Sequence, residues 1–367
     1  MAREDDKPIA FSRWKSAIKP KRAKATEGLV VRVQTVPVPR GVKRRDVKLQ
    51  QELDRIDVIL RGQVGARAFA PRVKTVALRR SIKRVEPGIV REAYRPDHLA
   101  LAPLPARLPK ELARPFFIPR FKRPPSGESG EPTTVFAPDT RYVFSDTSYP
   151  WSTCGRVDTA AGWGSGVMVG PRHLLTASHV VNWGPNNTAG WLRFTPLFFD
   201  GNAPFGVAWA TLIYWWNQAN PSDGINAVEC AFDYVVCVLD TRIGELTGWM
   251  GSRGYSTSWD GGAYWGHIGY PGDMAGGQRP AFHGPGVMDS TFTQSLGGRD
   301  SLGIRHRNDV WPGQSGGPFF GWWEGEVGPH AVSTQSAQNW GGAGGPNTSG
   351  GGDPLPVLVR WGLDHDP

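Results

Sequence analysis

A serine stands among glycines in Pro312-Gly313-Gln314-Ser315-Gly316-Gly317-Pro318. That setting suits a nucleophile, because a substrate carbonyl must reach both the hydroxyl and nearby backbone N–H groups without meeting side chains. Read alone, the segment is better taken as a glycine turn in a protein with 47 glycines. Two upstream stretches change the balance. Leu174-Leu175-Thr176-Ala177-Ser178-His179-Val180-Val181 puts a histidine at the end of an apolar run, and Phe232-Asp233-Tyr234-Val235-Val236-Cys237-Val238-Leu239 opens another run with an aspartate. His179, Asp233 and Ser315 together supply a base, an orienter for that base and a nucleophile.

Such side chains need short rigid elements to hold them. The chain from residue 131 onward reads as strands separated by glycine and proline turns: 166–170, 173–177, 191–199, 207–215, 234–239, 264–269 and 329–335. Without long 3.6-period segments, this spacing predicts an all-β barrel or sandwich. Tyr270-Pro271-Gly272 reads as a rigid turn, 341–352 as a flexible loop and 354–363 as a final strand, with no convincing terminal helix.

With 367 residues, 39% of them hydrophobic, the chain can bury a substantial core. Its net charge of +9 averages two unlike regions. Residues 1–130 hold 31 Lys and Arg against 13 Asp and Glu, a net +18; residues 131–367 hold 11 against 20, a net −9. Fifteen of the 16 tryptophans follow residue 150. The boundary falls at the Pro/Gly/Ser-rich linker 124–132, which divides a basic, Pro-rich extension (1–130) from a second domain (131–367). Val47 to Leu60 carries apolar residues at 49, 53, 56 and 60 and predicts one amphipathic helix. The rest of the extension reads as largely disordered.

A basic arm can bind polyanions through phosphate contacts, but aromatic interleaving and any nucleic-acid module are missing, which argues against nucleic acid. The reading preferred here is a pro-segment that docks on its own oppositely charged domain, its tether raising the effective concentration. Met1 to Ile18 has no apolar h-region and no run reaches membrane-spanning length, so neither a classical signal peptide nor a membrane segment is expected. Cys154, Cys230 and Cys237 allow at most one disulfide and read as core packing.

Gly164-Ser165-Gly166-Val167-Met168-Val169-Gly170, Leu175 to Val181, Asp233 to Val236, Gly269-Tyr270-Pro271-Gly272-Asp273 and Gly313 to Pro318 together resemble the chymotrypsin-like serine proteases, the bacterial glutamyl-endopeptidase branch above all. Val135-Phe136-Ala137-Pro138-Asp139-Thr140-Arg141 is similar to the start of the mature enzyme in that branch. The resemblance covers residues 135–340. It implies two six-stranded β-barrels with the site between them, His179 and Asp233 from the first and Ser315 from the second. It implies a serine endopeptidase of protein or peptide substrates, with an oxyanion hole at the N–H groups of Gly313 and Ser315, no metal and no other cofactor, and secretion as the favoured destination.

The chain departs from trypsin-type relatives in places. Gln314 stands where zymogens carry the aspartate that pairs with a new N-terminus, and Val180 and Trp311 replace two half-cystines. Among substrate-binding positions, the resemblance puts Ser333 where glutamyl endopeptidases hold a histidine, with Thr334 and Gln335 beside it. Asp309, six residues before the serine, is either the base of a pocket for Arg or Lys or a structural aspartate. Two rival readings compete with the protease. Gly313 to Gly317 also fits the G-x-S-x-G elbow of α/β hydrolases, with Asp353 and His365 as later partners, but the flanking prolines do not suit a strand–elbow–helix unit. The other is a catalytically silent protease-like binding module anchored by the basic arm. Asp240 ends its run where Asp233 opens one, and His98, His173, His267, His283, His306, His330 and His365 read as structural or solvated.

Overall fold

The computed structural model describes residues 6–24, 47–52, 55–60, 73–78, 85–86, 88–108, 135–136, 138–220, 224–338 and 345–367. The linker 124–132 lies outside the described residues.

The first large sheet comprises Val73–Ala77 (β1), Cys154–Thr159 (β2), Gly162–Met168 (β3), His173–Thr176 (β4), Leu192–Pro196 (β5), Ala208–Trp215 (β6) and Val235–Leu239 (β7). Pairing runs β5-β2-β3-β4-β7-β6, and β6 returns to β5 through Arg193↔Trp209 and Phe194↔Ala208. Six strands therefore close into a barrel, which leaves no free edge among them. Its interior is filled by Val157, Met168, Leu174, Phe194, Ile213, Val235 and Cys237. Every residue of β7 is buried, as expected of an apolar run between two other strands.

The second sheet contains Ala263–Gly269 (β8), Ala281–Val287 (β9), Ser290–Leu296 (β10), Arg299–His306 (β11), Pro318–Gly321 (β12), His330–Ala337 (β13) and Asn347–Gly351 (β14), in the order β10-β11-β14-β13-β12-β8-β9. β10 and β11 meet at Gly297-Gly298, both at positive φ (58° and 75°), the backbone that a two-residue hairpin requires. Tyr255, Trp259, Trp265 and Trp323 pack under this sheet. The architecture is all-β, one closed six-stranded barrel and a second large sheet, within the barrel-or-sandwich class that the turn spacing predicts. All three cysteines are buried free thiols, and burial pushes those of Cys154 and Cys230 up to about 12.

Three expectations need correction. Val47–Glu52 and Arg55–Leu60 form an antiparallel hairpin, not a helix; Ile56, Val58 and Leu60 alternate with period two, and that pattern prevails over the helical one. Two described parts of the basic extension, residues 6–24 and 73–77, pack on the second domain. Trp14 is fully buried beside Phe320 and Trp322, Ile9 N–H donates to Trp322 O (2.7 Å), and β1 adds to β6 in parallel register. Average composition hid these local anchors.

Pro354–His365 is a helix, with Pro in its first turn and Leu355, Leu358, Val359 and Gly362 on the buried side. It lies against the first barrel: a Cβ at Gly362 would sit 3.1 Å from both His173 and Val236. Its β-branched valines imitate a strand. Asn347 to Gly351, expected in a flexible loop, is β14. Among the described residues no helix is long and apolar enough to cross a membrane.

Candidate active site

Strand register brings His179 and Asp233 together. β4 and β7 pair antiparallel with Thr176 opposite Val235, so continuing the ladder past their ends sets residue 178 opposite residue 233. β4 leads into a single 3-10 turn, Ser178–Val180, that carries His179 at the barrel rim. Asp233 accepts there three times: Oδ1 from His179 N–H (2.9 Å), Oδ2 from His179 Nδ1 (2.6 Å) and Oδ2 from the Ser336 hydroxyl (2.5 Å). Thr334 Oγ1 donates to the Asp233 carbonyl (2.8 Å). Asp233 is fully buried, while His179 and Ser315 are partly exposed.

Burial disfavours the imidazolium of His179, and the Asp233 charge and hydrogen bond outweigh it, leaving the His179 pKa above the usual imidazole value. A bond from Nδ1–H to the carboxylate leaves Nε2 as the basic nitrogen.

Ser315 lies in the loop that precedes β12. This loop is bonded to the first barrel: Ser165 N–H donates to Ser315 O (2.7 Å), and Ser165 Oγ donates to Gly313 O (2.7 Å) while accepting from Tyr270 N–H (2.9 Å). Two glycines make the approach possible. At Gly316, at φ +78°, a Cβ would come 2.3 Å from Thr176 Oγ1 and 2.6 Å from Ala177 N, in the segment leading to His179. At Gly164 a Cβ would meet the Val180 side chain at 2.7 Å and Ser315 O at 2.9 Å, so one residue touches the neighbour of His179 and Ser315 alike.

The two expected oxyanion donors are oriented by the carbonyls of their own peptide units. Gly272 N–H holds Pro312 O (2.9 Å) and Gly317 N–H holds Gln314 O (2.9 Å). In a planar trans peptide N–H and C=O point opposite ways, so the N–H groups of Gly313 and Ser315 are turned away from those anchors.

The remaining expected positions are placed as follows. Gln335 exchanges backbone bonds with the Ser315 loop, Gly316 N–H to Gln335 O and Gln335 N–H to Gly317 O, both 2.9 Å. Ser333 is buried on β13 opposite Phe319 and Gly351. Asp309 is buried, its carboxylate accepting from Phe136 N–H (2.8 Å), Thr140 N–H (3.1 Å) and the Thr140 hydroxyl (3.4 Å). Sequence reasoning missed Ser165 and Ser336. Ser165 lies inside a quoted motif, but a serine hydroxyl holding two backbone groups leaves no pattern in the chain. Ser336 is three residues from Ser333, and only the β13 register shows which serine reaches Asp233. Among the described residues no cluster of His, Cys, Asp and Glu could hold a metal ion.

No family profile matches the chain. Among curated proteins it is similar to the glutamyl endopeptidase of Bacillus licheniformis, 25% identical over 192 residues, which are 51% of this chain and 54% of that protein. The chain thus spans about half the length of the curated relative it matches. Among solved structures, a Glu endopeptidase in complex with MPD covers 62% of this chain and 98% of its own at 21% identity and a TM-score of 0.49. The protease Anisep from Arthrobacter nicotinovorans covers 57% and 93% at 19% identity and a TM-score of 0.40. The chain, an all-β protein with a closed six-stranded barrel and a second sheet, is thus similar in sequence to a glutamyl endopeptidase over about half of its length.

Proposed function

We propose that the protein is a serine endopeptidase that cleaves peptide bonds through Ser315, His179 and Asp233. The observation that carries this reading is the Asp233 carboxylate bonded to both the backbone and Nδ1 of His179, at a rim that the Ser315 loop closes against. His179 takes the proton of Ser315 as the hydroxyl attacks the substrate carbonyl, then gives it to the leaving amine; Asp233 fixes the tautomer and stabilises the imidazolium. The N–H groups of Gly313 and Ser315 bind the tetrahedral oxyanion, each donor contributing about 2.7 to 4 kcal/mol to the barrier reduction. Water then releases the acyl group by the same route.

Three donors on the Asp309 carboxylate support its structural role over a pocket for Arg or Lys, because a substrate cation would have to displace them. The relative named a glutamyl endopeptidase makes an acidic residue before the scissile bond the first preference to test. Packing of Trp14 and of β1 against the barrels supports an extension that acts on its own protease domain. An unstructured protein incubated with the purified full chain should yield peptides whose ends map to discrete cleavage sites by mass spectrometry, and Ser315→Ala should yield none. Equal cleavage by Ser315→Ala would end this reading.

A further inference from the structure

Gln314 lies between the two peptide groups assigned to the oxyanion, yet its side chain turns inward and is 1% exposed. Its Oε1 accepts from Trp311 N–H (2.8 Å) and from Arg141 Nη1 (2.9 Å). The Arg141 side chain, also 1% exposed, reaches Asp273 at 2.5 and 3.2 Å and Asp139 at 3.0 and 3.1 Å. Every edge of the guanidinium fork is thereby used. Two carboxylates already face this one cation, so an acidic residue at 314 would add a third, whereas the neutral amide of Gln314 supplies an acceptor without further charge.

Arg141 also belongs to a stretch bound at both ends of the same loop. Phe136 and Thr140 donate to Asp309 where the loop starts, and Arg141 reaches Gln314 where it delivers Ser315. The turn after β8 completes the arrangement: Asp273 pairs with Arg141, and Gly272, its neighbour, holds Pro312 O.

Building on the hydrolase reading above, we propose that Arg141 is a positioning residue that fixes the oxyanion loop through Gln314. Because this cation is internal to the chain, the loop takes its working shape without a free α-amino group, while residues 1–134 are still attached. The switch of trypsin-type zymogens, a new N-terminus pairing with the residue before the serine, is replaced by a permanent contact.

A fluorophosphonate tests this, since its attack by Ser315 also develops charge in the oxyanion hole. Arg141→Met removes the fork. Gln314→Met removes only the acceptor and leaves Arg141 paired with Asp139 and Asp273, so this variant remains informative if the first fails to fold. In the full chain, the maximal labelling rate of both variants should fall about 10²–10³-fold, the loss expected for a misplaced oxyanion donor. The reversible probe affinity should change less than about threefold, because initial binding does not use the hole. Intact mass should show the wild-type adduct on the uncleaved 40.1 kDa chain. Variants labelling at the wild-type rate, or wild type labelling only after losing the residues before Val135, would overturn the proposal. Wild type that never labels would instead remove the hydrolase reading on which it rests.

Discussion

The His179 imidazole is held between two opposing influences, burial that favours the neutral ring and the Asp233 carboxylate that favours the cation, and the carboxylate prevails. A general base works only when neutral, so kcat/KM should rise with pH through a value above the usual imidazole range. Asp233→Asn removes the opposing charge and leaves burial alone. Its acidic limb should therefore move to lower pH, while turnover falls about 10⁴-fold because the tautomer is no longer fixed. A pH–rate profile of both proteins checks the two effects together, and an unshifted limb in Asp233→Asn would separate Asp233 from His179. At this scale the sequence singled out residue types that such chemistry would need, at His179, Asp233 and Ser315, and the strand register brings the first two into hydrogen-bond contact. It was silent where a hydroxyl supports its neighbours, backbone groups at Ser165 and the Asp233 carboxylate at Ser336, because many residues occupy such places.

Elements were legible where one force dominates. Leu174-Leu175 and Val235 to Leu239 are apolar on both faces and could only be central strands, so the β4–β7 ladder that joins His179 to Asp233 was within reach of the sequence. β10 and β11 were not, because no residue of β10 is fully buried and β11 sets small buried Ser301 and Gly303 where large apolar residues would mark a strand. The anchors within the basic extension were hidden for a related reason: a few apolar residues are outweighed by charge. Trp14 is the largest of them, its indole donating to Ile9 O (3.1 Å) and its ring 4.6 Å from Phe11 and 5.8 Å from Phe320. Trp14→Ala should cost about 3–5 kcal/mol of stability, the range for emptying a buried aromatic site. The urea midpoint should drop accordingly. An unchanged midpoint would mean that residues 6–24 contribute nothing to the fold.

Among the described residues, five imidazoles are buried and held below their usual range. Burial lowers His173 to about 4 and His267 and His330 to about 3, holds His306 well below the usual range, and also lowers His283, against the opposing charge of Asp309. In the unfolded chain all five titrate near 6.5. Between that pH and their folded values the unfolded state binds more protons, so unfolding becomes easier as pH falls, by up to about 1.4 kcal/mol per pH unit for each histidine. His179 acts in the opposite direction, since its raised pKa adds stability as pH drops to its unfolded value. Asp289 and Asp353, raised chiefly by burial, offset part of the loss only near the carboxylate range. The buried histidines outnumber these terms between about pH 6.5 and 5. Urea unfolding should therefore show stability falling steeply over that interval, whereas a flat profile would require these rings to be charged or hydrated in the folded protein. A steep fall would place the range in which the fold is stable on the neutral and alkaline side, where the proposed base His179 is unprotonated.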